Sequence, residues 1–139
     1  MSTIKNLSEN QLVVIKHACD VYSRLMIGQL DDALRLLPVK KEIDWTAYHD
    51  DILRIKDILN KYTEFDLKNS NLGIYNPSVN PSARVAYDIH QVIRNKVAYD
   101  KAIKQGIIQK GGSRKMPEMI QVDYDEPIQT SDETLPKFS

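Results

Sequence analysis

The sequence lacks the features that mark secreted, membrane-spanning and general nucleic-acid-binding proteins. Cys19 is the single cysteine among 139 residues, so an intrachain disulfide is impossible and a reducing compartment is indicated. No apolar run approaches the roughly 18 residues of a membrane span, and no apolar segment of signal-peptide type follows the N-terminus. Lys and Arg together number 19, as do Asp and Glu, and this zero net charge argues against general nucleic-acid binding. The sequence therefore predicts a cytoplasmic protein with no membrane contact.

Motifs for catalysis and metal binding are also missing. Of the five glycines only Gly111 and Gly112 are adjacent, and no Lys-Ser or Lys-Thr pair follows them as in a phosphate loop. His17 and Cys19 are two positions apart on a predicted helix, so their side chains point to different sides and form no metal site. Cys19 itself lies on an apolar stripe and is expected to be a small buried side chain. We therefore predict a protein that is not an enzyme and has neither metal nor cofactor.

What the sequence does contain is a strong helical pattern. Ser8 and Gln11 have the spacing of a capping box at the start of a first helix. Apolar residues then recur at steps of three and four in two adjacent stripes, before Gly28 interrupts them. The stripes are Leu12, Ile15, Cys19, Tyr22 and Met26, and beside them Val14, Ala18, Val21 and Leu25. So wide an apolar face predicts a central helix contacted on two sides, and a homo-oligomer.

Three further helices are predicted after the first. A short one runs from Asp31 to Leu37, where Pro38 ends it. A second main helix begins near Asp44 or Thr46, and its apolar residues have the a/d spacing of a heptad, which predicts that they pack onto helix one. This heptad series is Trp45, Tyr48, Ile52, Ile55, Leu59 and Tyr62. A third main helix starts at Asn80-Pro81 and stops at Gly106.

These elements predict an all-α fold, a compact bundle of three main helices with a short fourth helix. Residues 1–106 form the helical domain and residues 107–139 form a polar C-terminal extension. The extension is rich in Asp and Glu and loses the helical periodicity, so we predict that it is partly disordered or forms a short hairpin across Gly111-Gly112.

Two groups of polar residues are candidates for binding a ligand. One lies at the end of helix one beside Gly28, and the other follows a stripe of helix three that also contains His90. Arginine offers a planar fork of donors to phosphate, and tyrosine can stack on a base. The candidate ligand-binding residues are Tyr22, Arg24, Gln29, Tyr87, Gln91, Arg94 and Lys101. The alternative interpretation is a solvated helix flank, with Arg84–Asp88 and Lys96–Asp100 as ordinary ion pairs one turn apart.

Two stretches, 22–30 (YSRLMIGQL) and 86–94 (AYDIHQVIR), resemble short uncharacterised accessory proteins of tailed bacteriophages. This resemblance covers helix one and helix three, about a third of the chain. It implies a counter-defence protein in the host cytoplasm, of which one class comprises oligomeric sponges that sequester cyclic nucleotides or cyclic ADP-ribose. We therefore expect a non-enzymatic homo-oligomer that sequesters a phosphate-bearing nucleotide signal. The alternative is an inhibitor or adaptor that binds a host defence protein through a helix face or through the acidic tail.

Overall fold

The computed structural model describes residues 2–64, 66–69, 72–106, 123 and 125–138. These contain four α-helices and, within the described residues, no strand: α1 Glu9–Met26, α2 Leu30–Leu34, α3 Trp45–Leu59 and α4 Pro81–Lys104. The predicted all-α fold, with three main helices and a short fourth, is confirmed. The hairpin predicted across Gly111-Gly112 lies outside the described residues.

The helices begin where local capping signals place them. At the start of α1, the Ser8 N–H donates to Gln11 Oε1 at 2.8 Å and the Gln11 N–H donates to Ser8 Oγ at 3.2 Å, which is the predicted capping box. Of the two caps considered for α3, Asp44 is used, because its Oδ1 accepts the N–H groups of Thr46 and Ala47 at 3.0 and 3.1 Å. Asn80 accepts the Ser82 N–H at 3.0 Å at the start of α4. Each cap satisfies backbone donors that have no partner within the helix.

A glycine turn ends α1 and sends the chain into α2. Gly28 has a φ of +85°, the left-handed region that a side chain disfavours. Its N–H donates to the Leu25 carbonyl at 3.0 Å, and the Gln29 N–H donates to the Arg24 carbonyl at 2.8 Å. This pair of bonds is the Schellman motif, and it satisfies carbonyls at the end of α1. The turn brings Gln29 and the start of α2 back toward the last turn of α1.

Contacts divide the chain into two compact units, each described here by itself. The central unit is Val21–Arg84, and its core contains Ile27, Val79 and Ala83. Partly buried Met26, Leu72 and Ile74 pack against that core. The terminal unit is Met1–Asp20 with Val85–Ser139, and its buried apolar residues lie along α4. They are Ala86, Val92, Ile93 and Ala102.

The heptad series of α3 is only partly turned inward: Tyr48 and Ile52 are half-buried, but Ile55 and Leu59 are exposed, so the prediction that the whole series packs inward is wrong at these two positions. Ile55 is 43% exposed and Leu59 36%. The buried line of the helix runs instead through Lys56, which is 8% exposed and whose Nζ lies 2.8 Å from the carboxylate of Asp31 on α2. The Lys56 stem packs inward and its ammonium pairs with the Asp31 carboxylate, so the heptad series lies on the flank of α3 rather than on its inward face.

The second stripe of α1 is likewise uncovered by this chain. Val14 is 66% exposed in the terminal unit, and Leu25 is 44% exposed in the central unit. The expectation of a central helix contacted on two sides therefore fails at these positions. Both helices leave apolar side chains in contact with solvent.

Candidate functional site

The predicted ligand-binding residues fall into both units. Tyr22, Arg24 and Gln29 belong to the central unit. Tyr87, Gln91, Arg94 and Lys101 belong to the terminal unit, all on α4. Their present contacts differ and determine what each of them can bind.

The residues of the central unit are engaged in local contacts that hold helix ends together. Arg24 Nη1 donates to Gln29 Oε1 at 3.0 Å and to Asp32 Oδ2 at 3.1 Å, which ties the end of α1 to α2. The Tyr22 hydroxyl donates to Ser82 Oγ at 3.0 Å, next to the cap of α4. A phosphate group at Arg24 would therefore have to replace the carboxylate of Asp32.

Gln91 holds the C-terminal segment against α4. Its side chain is 5% exposed, and Nε2 donates to the Ile128 carbonyl at 3.0 Å while Oε1 accepts the Ile128 N–H at 3.2 Å. Farther along α4, Asn95 Nδ2 donates to the Asp125 carbonyl at 3.0 Å. The amide of Gln91 thus pairs with an extended backbone much as a neighbouring strand would. A ligand could use this amide only after the segment had left.

Asp88 forms more hydrogen bonds with the C-terminal segment than Gln91 does. It is 2% exposed, and each carboxylate oxygen accepts two hydrogen bonds. Oδ1 accepts the N–H and the hydroxyl of Thr130 at 2.8 and 2.7 Å, and Oδ2 accepts the N–H and the hydroxyl of Ser131 at 3.0 and 2.6 Å. These bonds stand in place of the expected Arg84–Asp88 pair, because Arg84 donates to the carbonyls of Ile74 and Asn76. The expected Lys96–Asp100 pair does form, at 2.9 Å.

His90 on α4 meets charged residues of α1 and has Tyr87 and Arg94 as neighbours on its own helix. We call Lys16, Asp20, Tyr87, His90 and Arg94 the Arg94 cluster. His90 Nδ1 lies 3.1 Å from the Lys16 carbonyl and so donates to it, while Nε2 lies 3.9 Å from Asp20 Oδ1. The rings of Tyr87 and His90 are stacked, with centroids 6.2 Å apart and planes at 27°. Lys101 is exposed, two turns farther along α4.

The electrostatics of the Arg94 cluster favour an anion. Burial is the largest effect on the pKa of His90 and lowers it; the bond to the Lys16 backbone and the charge of Asp20 raise it in part, and the charges of Arg94 and Lys16 lower it by smaller amounts. The imidazole is therefore neutral at pH 7. Arg94 Nε is buried and has no hydrogen-bond partner among the described residues. Buried donors almost always have a protein, water or ion partner. The Nε of Arg94 therefore invites a further partner, whereas Arg24 and Gln91 already form the hydrogen bonds described above.

Lys16 and Asp20 were missed by sequence reasoning. They lie one helical turn apart on α1, beside the apolar stripe that contains Ile15 and Cys19. That spacing is a signal for a shared face. It does not show that the face meets His90 and Arg94, which are more than 70 residues farther along the chain.

The central unit also contains an apolar cavity of about 330 Å³. None of the predicted ligand-binding residues lines it, because it is assembled from the end of α1, the start of α2 and the chain after α3. The lining residues are Leu25, Gly28, Leu30, Leu59, Thr63, Glu64 and Leu67.

The described part of the chain holds neither a group of metal ligands nor a membrane-spanning helix. No three His, Cys, Asp or Glu side chains in the described ranges are grouped so as to hold a metal ion. No helix in that part of the chain combines the length and apolar character needed to cross a membrane. No protein-family model, curated protein or solved structure matches the chain. Proposals for the function therefore rest on the contacts described above.

Proposed function

We propose that this chain is a non-enzymatic, phage-type binding protein that sequesters a phosphate-bearing nucleotide signal in the cytoplasm of a bacterial host, as a homo-oligomer. The ligand class is a cyclic dinucleotide, a cyclic trinucleotide or a cyclic ADP-ribose. The observation that carries this proposal is Arg94, whose buried Nε has no partner among the described residues and whose guanidinium neighbours His90. The counter-defence role rests on the resemblance of two stretches to phage accessory proteins.

A phosphate group would complete the Arg94 cluster in two ways. Its oxygens would accept hydrogen bonds from the Arg94 guanidinium once the buried Nε is opened to the ligand, and its charge would offset the charges of Arg94 and Lys16 beside His90. The partly exposed ring of Tyr87, already parallel to His90, would extend the stack to a base. Lys101 lies roughly 10 Å farther along α4, at 1.5 Å per residue, and would serve a second phosphate of the same ligand.

Calorimetry with a panel of cyclic di- and trinucleotides and cyclic ADP-ribose isomers tests the proposal. Arg94→Ala should weaken binding at least tenfold, about 1.4 kcal/mol, since a hydrogen bond to a charged group contributes about 1.5–3 kcal/mol. Arg54→Ala is the matched control: its side chain is 79% exposed and pairs with Asp51 at 3.5 Å, so binding should be unchanged.

Two results would count against this proposal in different ways. If no member of the panel binds with a dissociation constant below about 100 μM, roughly 5.5 kcal/mol, sequestration is refuted. If a ligand binds equally well to Arg94→Ala, sequestration stands and the Arg94 cluster is the wrong site.

The second candidate is an inhibitor or adaptor that binds a host protein through a helix face. It is favoured by the apolar side chains that the central unit exposes on α3 and around the cavity, since contiguous exposed apolar patches commonly mark interaction sites. A host protein captured by the wild type should be purified and titrated against Ile55→Glu and Arg94→Ala. Loss of binding with Ile55→Glu alone would support this candidate. Loss with Arg94→Ala alone would refute it.

A further inference from the structure

One surface of the central unit carries apolar side chains that the described residues leave largely exposed. We call the heptad series on the side of α3 and in the turn that follows it the α3 stripe: Trp45, Tyr48, Ile52, Ile55, Leu59 and Tyr62, of which Tyr48 and Ile52 are half-buried. We infer that the α3 stripe binds the α3 stripe of a second copy of this chain, forming a symmetric dimer. This inference specifies the oligomer of the proposed function, but it rests on other residues than the nucleotide site does.

The exposure of the α3 stripe follows a pattern rather than being scattered. Trp45 and Tyr62, at its two ends, are 62% and 82% exposed, and Ile55 between them is 43% exposed. Trp45 packs edge-on against Tyr48, with ring centroids 5.8 Å apart and planes at 81°. The helix is held in this orientation by the inward Lys56 and its bond to Asp31. Rotation of α3 to bury the stripe would break that bond and expose the Lys56 stem.

The spacing of the α3 stripe selects a second copy as its occupant. Apolar residues at a and d positions of successive heptads form the seam of a helix pair, in which each side chain inserts between those of an equivalent helix. The stripe is 18 residues long and too short to stabilise an isolated coiled coil, but each copy presents α3 already folded on its own unit. A symmetric contact requires one self-complementary surface, which a heptad seam provides. The zero net charge of the chain adds no repulsion between two copies.

The available area matches a weak dimer. Trp45 and Tyr62 together expose roughly 200–350 Å², since an aromatic side chain buries about 150–250 Å² when enclosed. With the exposed parts of Ile55 and Leu59 the apolar area is on the order of 400 Å² per copy. Because about 65% of a homodimer interface is apolar, this corresponds to about 600 Å² per copy and about 1,200 Å² in total. That total lies at the lower edge of specific interfaces, so we expect a dissociation constant of about 1–100 μM.

Light scattering of the full chain from about 1 to 500 μM, spanning that expected constant, measures the dimer directly. The mass should rise from the 16.0 kDa of the monomer toward twice that value. Trp45 is the single tryptophan of the protein and lies at the end of the α3 stripe, so its emission should shift to shorter wavelength over the same concentrations. The wavelength shift and the mass should report the same dissociation constant.

Ile55→Glu should raise the dissociation constant at least tenfold, because it places a charge in the middle of the α3 stripe. Ile58→Glu is the matched control: Ile58 is on the same helix and 55% exposed, but outside the heptad series, so its effect should be less than threefold. Circular dichroism should show that both variants keep the helix content of the wild type. If Ile55→Glu proves unfolded, Ile55→Cys in a Cys19→Ser background should form a disulfide-linked dimer.

Three outcomes would overturn the inference, and each differs from failure of the nucleotide proposal. A monomer at 500 μM whose Trp45 is quenched freely by acrylamide would mean that the α3 stripe stays open. A monomer whose Trp45 is protected would mean that another part of this chain, or a bound host protein, covers it. A dimer that tolerates Ile55→Glu as well as Ile58→Glu would place the interface elsewhere. Nucleotide binding in any of these cases would leave the proposed ligand and the Arg94 cluster intact, and in the first two cases it would remove only the homo-oligomer from the proposed function.

Discussion

Asp88→Asn tests whether hydrogen bonding to a buried carboxylate holds the C-terminal segment on α4. The substitution keeps the size of the side chain but replaces one acceptor oxygen with an NH₂ donor. Both oxygens of Asp88 receive donors, from Thr130 on one side and from Ser131 on the other. Whichever way the amide is oriented, its NH₂ group therefore faces a backbone N–H and a hydroxyl. No rotamer of asparagine satisfies both sides.

The expected loss is smaller than the sum of the four bonds. At about 1.5–3 kcal/mol for a hydrogen bond to a charged group, four bonds would total roughly 6–12 kcal/mol. The segment can, however, leave α4 and return its donors to water, so the loss cannot exceed the free energy of docking. While the segment stays bound, the hydroxyl facing the NH₂ can turn and accept from it, but the backbone N–H on that side has no acceptor, which costs about 1–3 kcal/mol, and the bonds to the remaining oxygen are weaker because the charge is gone. We therefore expect docking to weaken by about 2–4 kcal/mol, or roughly 30- to 1,000-fold.

Hydrogen exchange of the full-length protein, followed by mass spectrometry, measures this loss locally. The amides of Thr130 and Ser131 donate to Asp88, and the amide of Ile128 donates to Gln91, so all three should be protected in the wild type. In Asp88→Asn their exchange should accelerate by the factor given above. Asp100→Asn is the control: this residue pairs with Lys96 at 40% exposure, so its loss should cost less than about 0.5 kcal/mol. Unchanged exchange in Asp88→Asn would refute this account of docking.

Two further predictions concern stability. Lowering the pH from about 7 to 5, through the ordinary His value near 6.5, should destabilise the wild type more than His90→Gln. Burial keeps the folded-state pKa of His90 below its unfolded value, so the unfolded chain binds the proton first; equal urea midpoints of the two proteins across this range would contradict it. Gly28→Ala should lower the free energy of unfolding by about 1–2 kcal/mol, because Gly28 has positive φ. Gly73→Ala, with no heavy atom within 4 Å of its added Cβ, should be neutral or stabilising. Thermal unfolding distinguishes the two variants, and equal losses would exclude the backbone explanation.

The starts of the three main helices could be predicted because their causes are local in sequence, whereas α2 ends at Leu34 and not at the predicted Leu37. Ser8 with Gln11, Asp44 with Thr46, and Asn80 with Ser82 form caps within three residues, and the structure contains all three. Gly28 ends α1 for the same local reason, its own backbone conformation. Such signals require no knowledge of the rest of the fold.

The orientation of α3 and the binding of the C-terminal segment could not be predicted, because both depend on polar contacts between distant residues. Lys56 turns inward because Asp31, 25 positions earlier, accepts its ammonium. Asp88 and Gln91 are buried because residues 128–131, about 40 positions later, bring donors and acceptors to them. Helical periodicity alone places apolar residues inside and charged residues outside, so it indicates a surface ion pair for Asp88. For the same reason the Arg94 cluster was predicted only in part: Arg94 was among the predicted ligand-binding residues, and Lys16 was not.

Gln91 and Asp88 each bind the C-terminal segment at a fixed residue, so the number of residues between these two contacts matters. Ile128 presents its own N–H and carbonyl to Gln91, and two residues later Thr130 presents its N–H to Asp88. Deletion of Gln129 would shorten the chain between these two contacts, so Gln91 and Asp88 could not both keep their present partners. The same deletion beyond Glu133 would leave both attachments in place. Among variants of this protein, insertions and deletions should therefore be rare between Ile128 and Ser131 and tolerated after that point.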